Sequence, residues 1–158
     1  MGFPYCWVHA KKIYGVQRKD SAVPGAGKGL FATKDFSVNE WIVPYGGESI
    51  TARCLDLRYP GDTTAPYAVD DTRNRYIDGA CVRGLGSLAN GNFNGGGYAL
   101  PWDQHNAEIA DRPNREKWIK AIEDIYSGDE IFVYYGDDYF LDDDHRTFRS
   151  SRGEQKPC

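Results

Sequence analysis

No stretch of this 158-residue chain approaches the roughly 20 consecutive apolar residues that a membrane-spanning helix needs. The start, Met1-Gly2-Phe3-Pro4-Tyr5-Cys6-Trp7, lacks the basic segment and apolar run of a secretory signal. Cys6 stands where a myristoylation signal needs Ser or Thr, and Lys156-Pro157-Cys158 is not a prenylation box. An intracellular protein, nuclear or cytoplasmic, is therefore expected, with no membrane partner. A basic excess is also missing: 23 acidic against 19 basic residues give a formal net charge of −4. Tight nucleic-acid binding depends on a cationic face that displaces counterions from phosphates, so basic protein segments are the better partner class. Cys6, Cys54, Cys81 and Cys158 never form a C-x-x-C pair. A thiolate zinc site is not expected, and the thiols read as reduced and unliganded. His9, His105 and His145 have no mutual spacing for a metal site or a nucleophile and base pair, and none is assigned a role. No internal repeat is visible.

What is present is ordinary for a globular protein: 41% hydrophobic and 27% charged residues rule out disorder by composition. The length suits one domain, residues 1–158, with a real core and no room for a regulatory module of any substance. Eighteen glycines punctuate short apolar runs such as Trp41-Ile42-Val43-Pro44-Tyr45 and Glu130-Ile131-Phe132-Val133-Tyr134-Tyr135. That pattern predicts a β-rich domain of many short strands joined by tight turns. Thr51 to Tyr59 predicts a short helix, with Thr51 as N-cap, Cys54, Leu55 and Leu57 facing inward, and Pro60-Gly61 as the stop. Trp118 to Ile125 has helical spacing too, but its β-branched content and the alternation of Ile119 with Ala121 fit a strand feeding the Ser127-Gly128 turn. Asn92 to Gln104 is a glycine-rich excursion that periodicity does not place.

Gly25-Ala26-Gly27-Lys28-Gly29 first suggests a phosphate-binding loop. That loop needs a glycine five positions before the Gly-Lys pair and a hydroxyl residue after it, where Ala22 and Gly29 stand. A nucleotide hydrolase is thereby disfavoured. The flanks are more specific. Pro24 to Ala32, followed by Glu40 to Glu48 with Tyr45-Gly46-Gly47-Glu48 at its end, resembles the opening of the SET-domain protein-lysine methyltransferases, where a G-x-G turn precedes a strand ending in Y-x-G-E. Tyr76-Ile77-Asp78-Gly79 is similar to the family's Y-x-I-D-A strand. Asn90 follows Asp78 at the spacing of the asparagine in the family's R-F-I-N-H-S motif. Ile119 to Gly136 is similar to its closing I-x-A-x-x-x-I-x-x-G-E-E-L-T-Y-D-Y-G. The resemblance covers about residues 16–140, and the Gly136 to Phe140 extension is similar to that of compact viral SET proteins.

The resemblance implies a SET β-clip of several small sheets and few short helices, with a C-terminal pseudoknot capped by residues 137–158. It also implies methyl transfer from S-adenosylmethionine to a lysine of a histone or another protein. Such chemistry has a clear physical demand: a lysine amine, with a pKa near 10.4, must lose a proton before it attacks a sulfonium methyl. A narrow aromatic channel disfavours the ammonium and aligns amine, methyl and sulfur. Carried over by the resemblance, Tyr135 is the catalytic tyrosine and Tyr45 a wall of the lysine channel, though both also read as strand tyrosines packed in a core. Lys28, Gly29 and Leu30 would cradle the methionine end of the cofactor by their backbone, since a glycine turn lets main-chain groups approach closely. Tyr67, Asn90 and Gly91 would contact it as well. Phe140 would stack on the adenine or simply pack in the cap. Val133 occupies the position where the family limits methyl number with Tyr or Phe, so a smaller side chain leaves room for di- or trimethylation.

Three departures stand out. Ser87 replaces the motif arginine and Gly91 its histidine, which keeps open a catalytically inactive SET-derived protein-binding module. The second motif asparagine is carried over to Asn106, beyond the glycine-rich insertion. The family's C-terminal zinc-binding cysteines have no counterpart here. Asp137-Asp138 and Asp142-Asp143-Asp144 read either as a lure for a basic substrate tail or as a solvated face.

Overall fold

The short apolar runs form short strands, none of which buries more than three side chains. The computed structural model describes residues 7–60, 65, 67–72, 74–92 and 100–135. In it β1 (Val16–Asp20) and β2 (Lys28–Ala32) pair antiparallel, with Val16 opposite Ala32 and Asp20 opposite Lys28. β3 (Trp41–Pro44) lies at one edge of a second sheet, against β8 (Lys117–Ala121), which also pairs with β7 (Ala107–Asp111). A register shift between Trp41 and Val43 lets the adjacent Ile42 and Val43 both be buried, which strict alternation would forbid. β4 (Glu48–Thr51), β6 (Arg75–Asp78) and β5 (Ala68–Thr72) form the third sheet in that order, also antiparallel. These small sheets, with only two α-helices among the described residues, are the expected SET β fold. One core joins the elements, built on Val16, Leu30, Phe36, Val43, Tyr45, Ile119, Ile125, Ile131 and Val133.

The sequence expectations meet four corrections. First, α1 (Trp7–Tyr14) was not foreseen; it buries Ala10 and ends at Gly15, whose φ of 71° and bond to the Lys11 carbonyl at 3.0 Å stop the helix. Second, α2 (Ala52–Arg58) forms as predicted, with the Thr51 hydroxyl accepting from the Cys54 amide at 3.2 Å, but its inward residue is not Leu57, which is 57% exposed. Arg58 turns inward instead, because Asp78 is wholly buried and needs a countercharge: Nη1 lies 2.7 Å from Asp78, Nη2 lies 3.0 Å from Glu48, and the Tyr59 hydroxyl donates to Asp78 at 3.1 Å. Burial, aided by the Asp78 charge, pushes the Tyr59 phenol well above its ordinary value. Third, Cys54 is disulfide-bonded rather than a reduced thiol, while Cys81 is free and exposed; the partner of Cys54 lies outside the described residues. Distance in the fold decides such a pairing, and sequence separation does not reveal it.

The fourth correction concerns Glu130 to Tyr135, which is not a regular strand. It makes single bridges to three different segments: antiparallel to Phe31, parallel to Asn90, and parallel to Ala107. Its ladder groups are shared out, with the Ile131 amide donating to Leu30 at 2.7 Å and the Val133 amide to Asn90 at 2.9 Å. The expected strand across Trp118 to Ile125 is likewise shorter, ending at Ala121, after which Phe36 and Ile125 exchange backbone bonds of 2.8 and 2.9 Å. The cap at 137–158, with Phe140, His145 and the acidic runs, lies outside the described residues.

Arg58→Met is expected to lower unfolding free energy by about 3–5 kcal/mol, because it strands a buried carboxylate. Chemical denaturation measures this, and a loss below about 1 kcal/mol would show that Tyr59 and the Ala80 amide satisfy Asp78 alone.

Candidate functional site

The turn between β1 and β2 is built by glycine. Gly25 and Gly27 hold φ of 79° and 74°, a left-handed conformation open to few other residues, and the Ser21 amide closes the loop on the Gly27 carbonyl at 2.8 Å. The turn thus presents the edge of Lys28 to the segment around Asn90. Asn90 Nδ2 donates to the Lys28 carbonyl at 3.0 Å.

A third piece locks these two. Glu130, 7% exposed, accepts from the Ser21 hydroxyl at 2.6 Å, from the Ala22 amide at 2.9 Å and from Asn90 Nδ2 at 3.3 Å. Its carboxylate fills the space where a Cβ on Gly29 would lie. Gly29 is therefore required by the Glu130 clamp rather than by its own backbone angle. The sequence assigns Glu130 no role, although its place in the closing motif, the second acidic residue after Gly128, marks it.

Tyr135 completes the constellation. Its hydroxyl donates to the Ala89 carbonyl at 2.8 Å, one residue from Asn90. The Gly27 turn, the Asn90 segment and the Tyr135 end of the closing segment therefore converge. Asn106 is an internal brace, donating to the Glu130 carbonyl at 2.8 Å and accepting from the Phe132 amide at 2.8 Å.

Gly27, Lys28, Tyr67, Ser87 and Asn90 line one cleft of about 130 Å³. Arg18 and Arg83 line it too, and among the described residues no acidic side chain does. The Arg83 guanidinium lies 4.6 Å over the Tyr67 ring, and among the described residues neither Arg18 nor Arg83 makes an ion pair. Lys28 is paired with Asp20 at 2.5 Å. The remaining expected site residues fall elsewhere. Leu30 and Val133 are wholly buried in the core, and Gly29 and Gly91 are buried backbone positions. Tyr45 is also wholly buried, its hydroxyl donating to the Tyr67 carbonyl at 3.1 Å, so it shores up the cleft wall from behind. Ser87 is buried and its hydroxyl donates to the Gly84 carbonyl at 2.9 Å.

The profile of the SET domain matches residues 27–136 of this sequence, more than half of the chain. The chain belongs to the SET domain family. Among solved structures, this SET domain is similar to ctPRC2 in complex with histone H3 ligands, at 26% identity and a TM-score of 0.63, over 83% of this chain and 16% of that one. It is similar to polycomb repressive complex 2 from Chaetomium thermophilum, at 27% identity and a TM-score of 0.62, over 80% of this chain and 16% of that one. An active polycomb repressive complex 2 in the stimulated state matches at 27% identity and a TM-score of 0.61, over 78% and 15% of the two chains. The SET domain thus spans about a sixth of the chains it matches. No curated protein matches it.

Gly29→Ala is expected to destabilise the domain by about 1–3 kcal/mol, because the added methyl displaces a carboxylate that holds three partners. Thermal unfolding reads the effect, and Gly29→Ala at wild-type stability would contradict the clamp.

Proposed function

We propose that this SET domain is an S-adenosylmethionine-dependent protein-lysine methyltransferase acting on a histone or another lysine-bearing protein. The observation that carries the reading is the convergence of the glycine turn, Asn90 and the Tyr135 hydroxyl. Family membership supports it, since SET domains are generally methyltransferases. The likeness to structures that hold histone H3 ligands supports the substrate class.

The cleft's chemistry suits the proposed cofactor. A bare glycine edge, an amide side chain and two arginines match a ligand whose amino-acid end carries a carboxylate. Lys28, Tyr67, Asn90 and Arg83 would hold it, and when bound it supplies an electrophilic methyl. The chain's own residues do the rest. Because the Tyr135 hydroxyl spends its proton on the Ala89 carbonyl, its oxygen lone pairs are left to accept an N–H from an incoming amine. That fixes the direction of the amine's own lone pair, a contribution of orientation rather than of acid or base. Loss of the lysine proton is favoured by the apolar surroundings of the channel.

Ser87 favours the second reading, a SET-derived binding module, because it removes the motif's cation. Arg83 weakens that reading: it brings a guanidinium to the same cleft from four residues earlier.

Radiolabelled methyl transfer onto histones and a cell lysate tests the choice. Tyr135→Phe is expected to lower kcat on the order of 100-fold, while cofactor binding by calorimetry stays within about twofold, since the hydroxyl lies outside the cleft lining. Equal labelling by both proteins ends the proposed role of the hydroxyl. Failure of the wild type to label any target, with the cofactor bound or not, favours the binding module. Although Val133 is packed in the core and does not line the cleft, it is smaller than the Tyr or Phe the family carries there, so di- and trimethyllysine products are expected, and mass spectrometry showing monomethyllysine alone would rule that out.

A further inference from the structure

His105 sits where the sequence promised nothing. It is 3% exposed, directly precedes the Asn106 brace, and closes the far end of the glycine-rich excursion that begins at Asn92. Its two ring nitrogens bond to opposite ends of that excursion: Nε2 accepts from the Asn92 amide at 3.0 Å, and Nδ1 lies 3.1 Å from the Pro101 carbonyl. A carbonyl only accepts, so Nδ1 carries the proton and Nε2 does not. The same two ends are stitched by the Leu100 amide to the Asn92 carbonyl at 2.8 Å and by Asn92 Nδ2 to the Gln104 carbonyl at 2.9 Å. The ring edge meets Tyr134, the neighbour of Tyr135, with centroids 5.3 Å apart.

We propose that His105 is a positioning residue, a latch that ties Asn92 to the Leu100–Gln104 segment and so keeps Asn92 in register with the Asn90 and Tyr135 segments, and that it closes only as the neutral imidazole. This inference rests on the methyltransferase reading for its effect on the reaction, but the latch itself is a property of the chain alone. Only Gly91 separates Asn92 from Asn90, whose carbonyl is gripped by Val133 and whose side-chain amide reaches Lys28. Freeing Asn92 therefore loosens one wall of the cleft. Protonating Nε2 would set two N–H donors against each other at the Asn92 contact.

The surroundings supply no compensation for a charged ring. The adjoining Trp102–Gln104 turn carries only the exposed Asp103 as a charged group, the closing segment faces the ring with Tyr134, and no ion pair reaches it among the described residues. Burial lowers its pKa below the ordinary 6.5, against a smaller opposing effect of the bonds to Pro101 and Trp102. With a depressed folded value, the latch contributes fully above about 6.5 and is lost as pH falls through that lower value.

The test compares wild type with His105→Gln, whose side-chain carbonyl can still accept from Asn92 but does not titrate, and His105→Phe, which fills the space with no acceptor. Hydrogen exchange at the Asn92 amide, corrected for intrinsic rate and followed from about pH 5 to pH 8, reads the latch directly. Wild type should lose protection on acidification, His105→Gln should be protected without that pH step, and His105→Phe should be unprotected throughout. The KM for S-adenosylmethionine should rise on the order of tenfold in His105→Phe, the cost of one buried bond, with kcat at saturation little changed and partial rescue in His105→Gln. Wild-type protection and KM in His105→Phe, or an acid step that persists in His105→Gln, would overturn the latch. Should the Asn92 pattern appear as stated while no form of the protein binds the cofactor, the latch stands and the methyltransferase reading falls.

Discussion

The Glu130 carboxylate is the point on which the site depends, because it ties the turn after β1 to the Asn90 segment from the closing segment. One oxygen takes the Ser21 hydroxyl and the Asn90 amide, the other the Ala22 backbone. Glu130 is held in turn by its own backbone, which bridges to Phe31 on one side and gives its carbonyl to Asn106 on the other. A buried carboxylate without a cation is costly unless its lone pairs are taken, and here three donors take them. The same bonds that satisfy Glu130 bring three chain segments into contact that are separated by dozens of residues. Solving the electrostatic problem of the carboxylate and assembling the cleft are one event.

Around this point the closing segment acts as a splint rather than as a strand. A regular strand would have given all its ladder groups to one or two neighbours; this one divides them among Leu30, Asn90 and Ala107. The result is a junction where β2, the Asn90 segment and the Asn106 segment meet without a common sheet. Such a junction has no redundancy, since each contact is one or two bonds wide. That accounts for the number of side-chain braces clustered there: Asn106 on two backbone groups, the Tyr135 hydroxyl on Ala89, and His105 on both ends of the excursion.

The parts of this arrangement that could be read from the sequence are those fixed by local backbone demands or marked by resemblance to the family's motifs. The glycine turn before Lys28 announces a left-handed conformation; the Thr51 cap announces a helix start; the step from Asp78 to Asn90 is informative only through its resemblance to the family's motif. What could not be read depends on who meets whom across the fold. Leu57 and Arg58 are neighbours on a helix, and hydrophobicity favours turning the leucine inward, but a buried Asp78 reverses the choice. Gly29 seemed to belong to the turn, yet it is small because Glu130 arrives from a hundred residues later. His105 read as a lone histidine because its partners, Asn92 and Pro101, are backbone groups, which leave no mark on composition.

The Ser87 departure leaves the cleft lined by arginines at other positions, Arg18 and Arg83. A motif arginine at residue 87 would have to leave a buried site, where Ser87 now sits against Gly79 and closes its hydroxyl onto Gly84. Restoring the arginine would crowd that wall, as the Ser87 side chain already stands where a Cβ on Gly79 would fall. Arg83 avoids the conflict by approaching from the exposed side, its planar guanidinium supported on the face of Tyr67, where cation and ring attract without either being fully desolvated. Tyr67 is in turn held by its carbonyl, which accepts from the Gly79 amide at 2.9 Å and from the wholly buried Tyr45. The cation at the cleft is thus anchored through Tyr67 to the core of the domain, and the cleft keeps a guanidinium in its lining although residue 87 is serine.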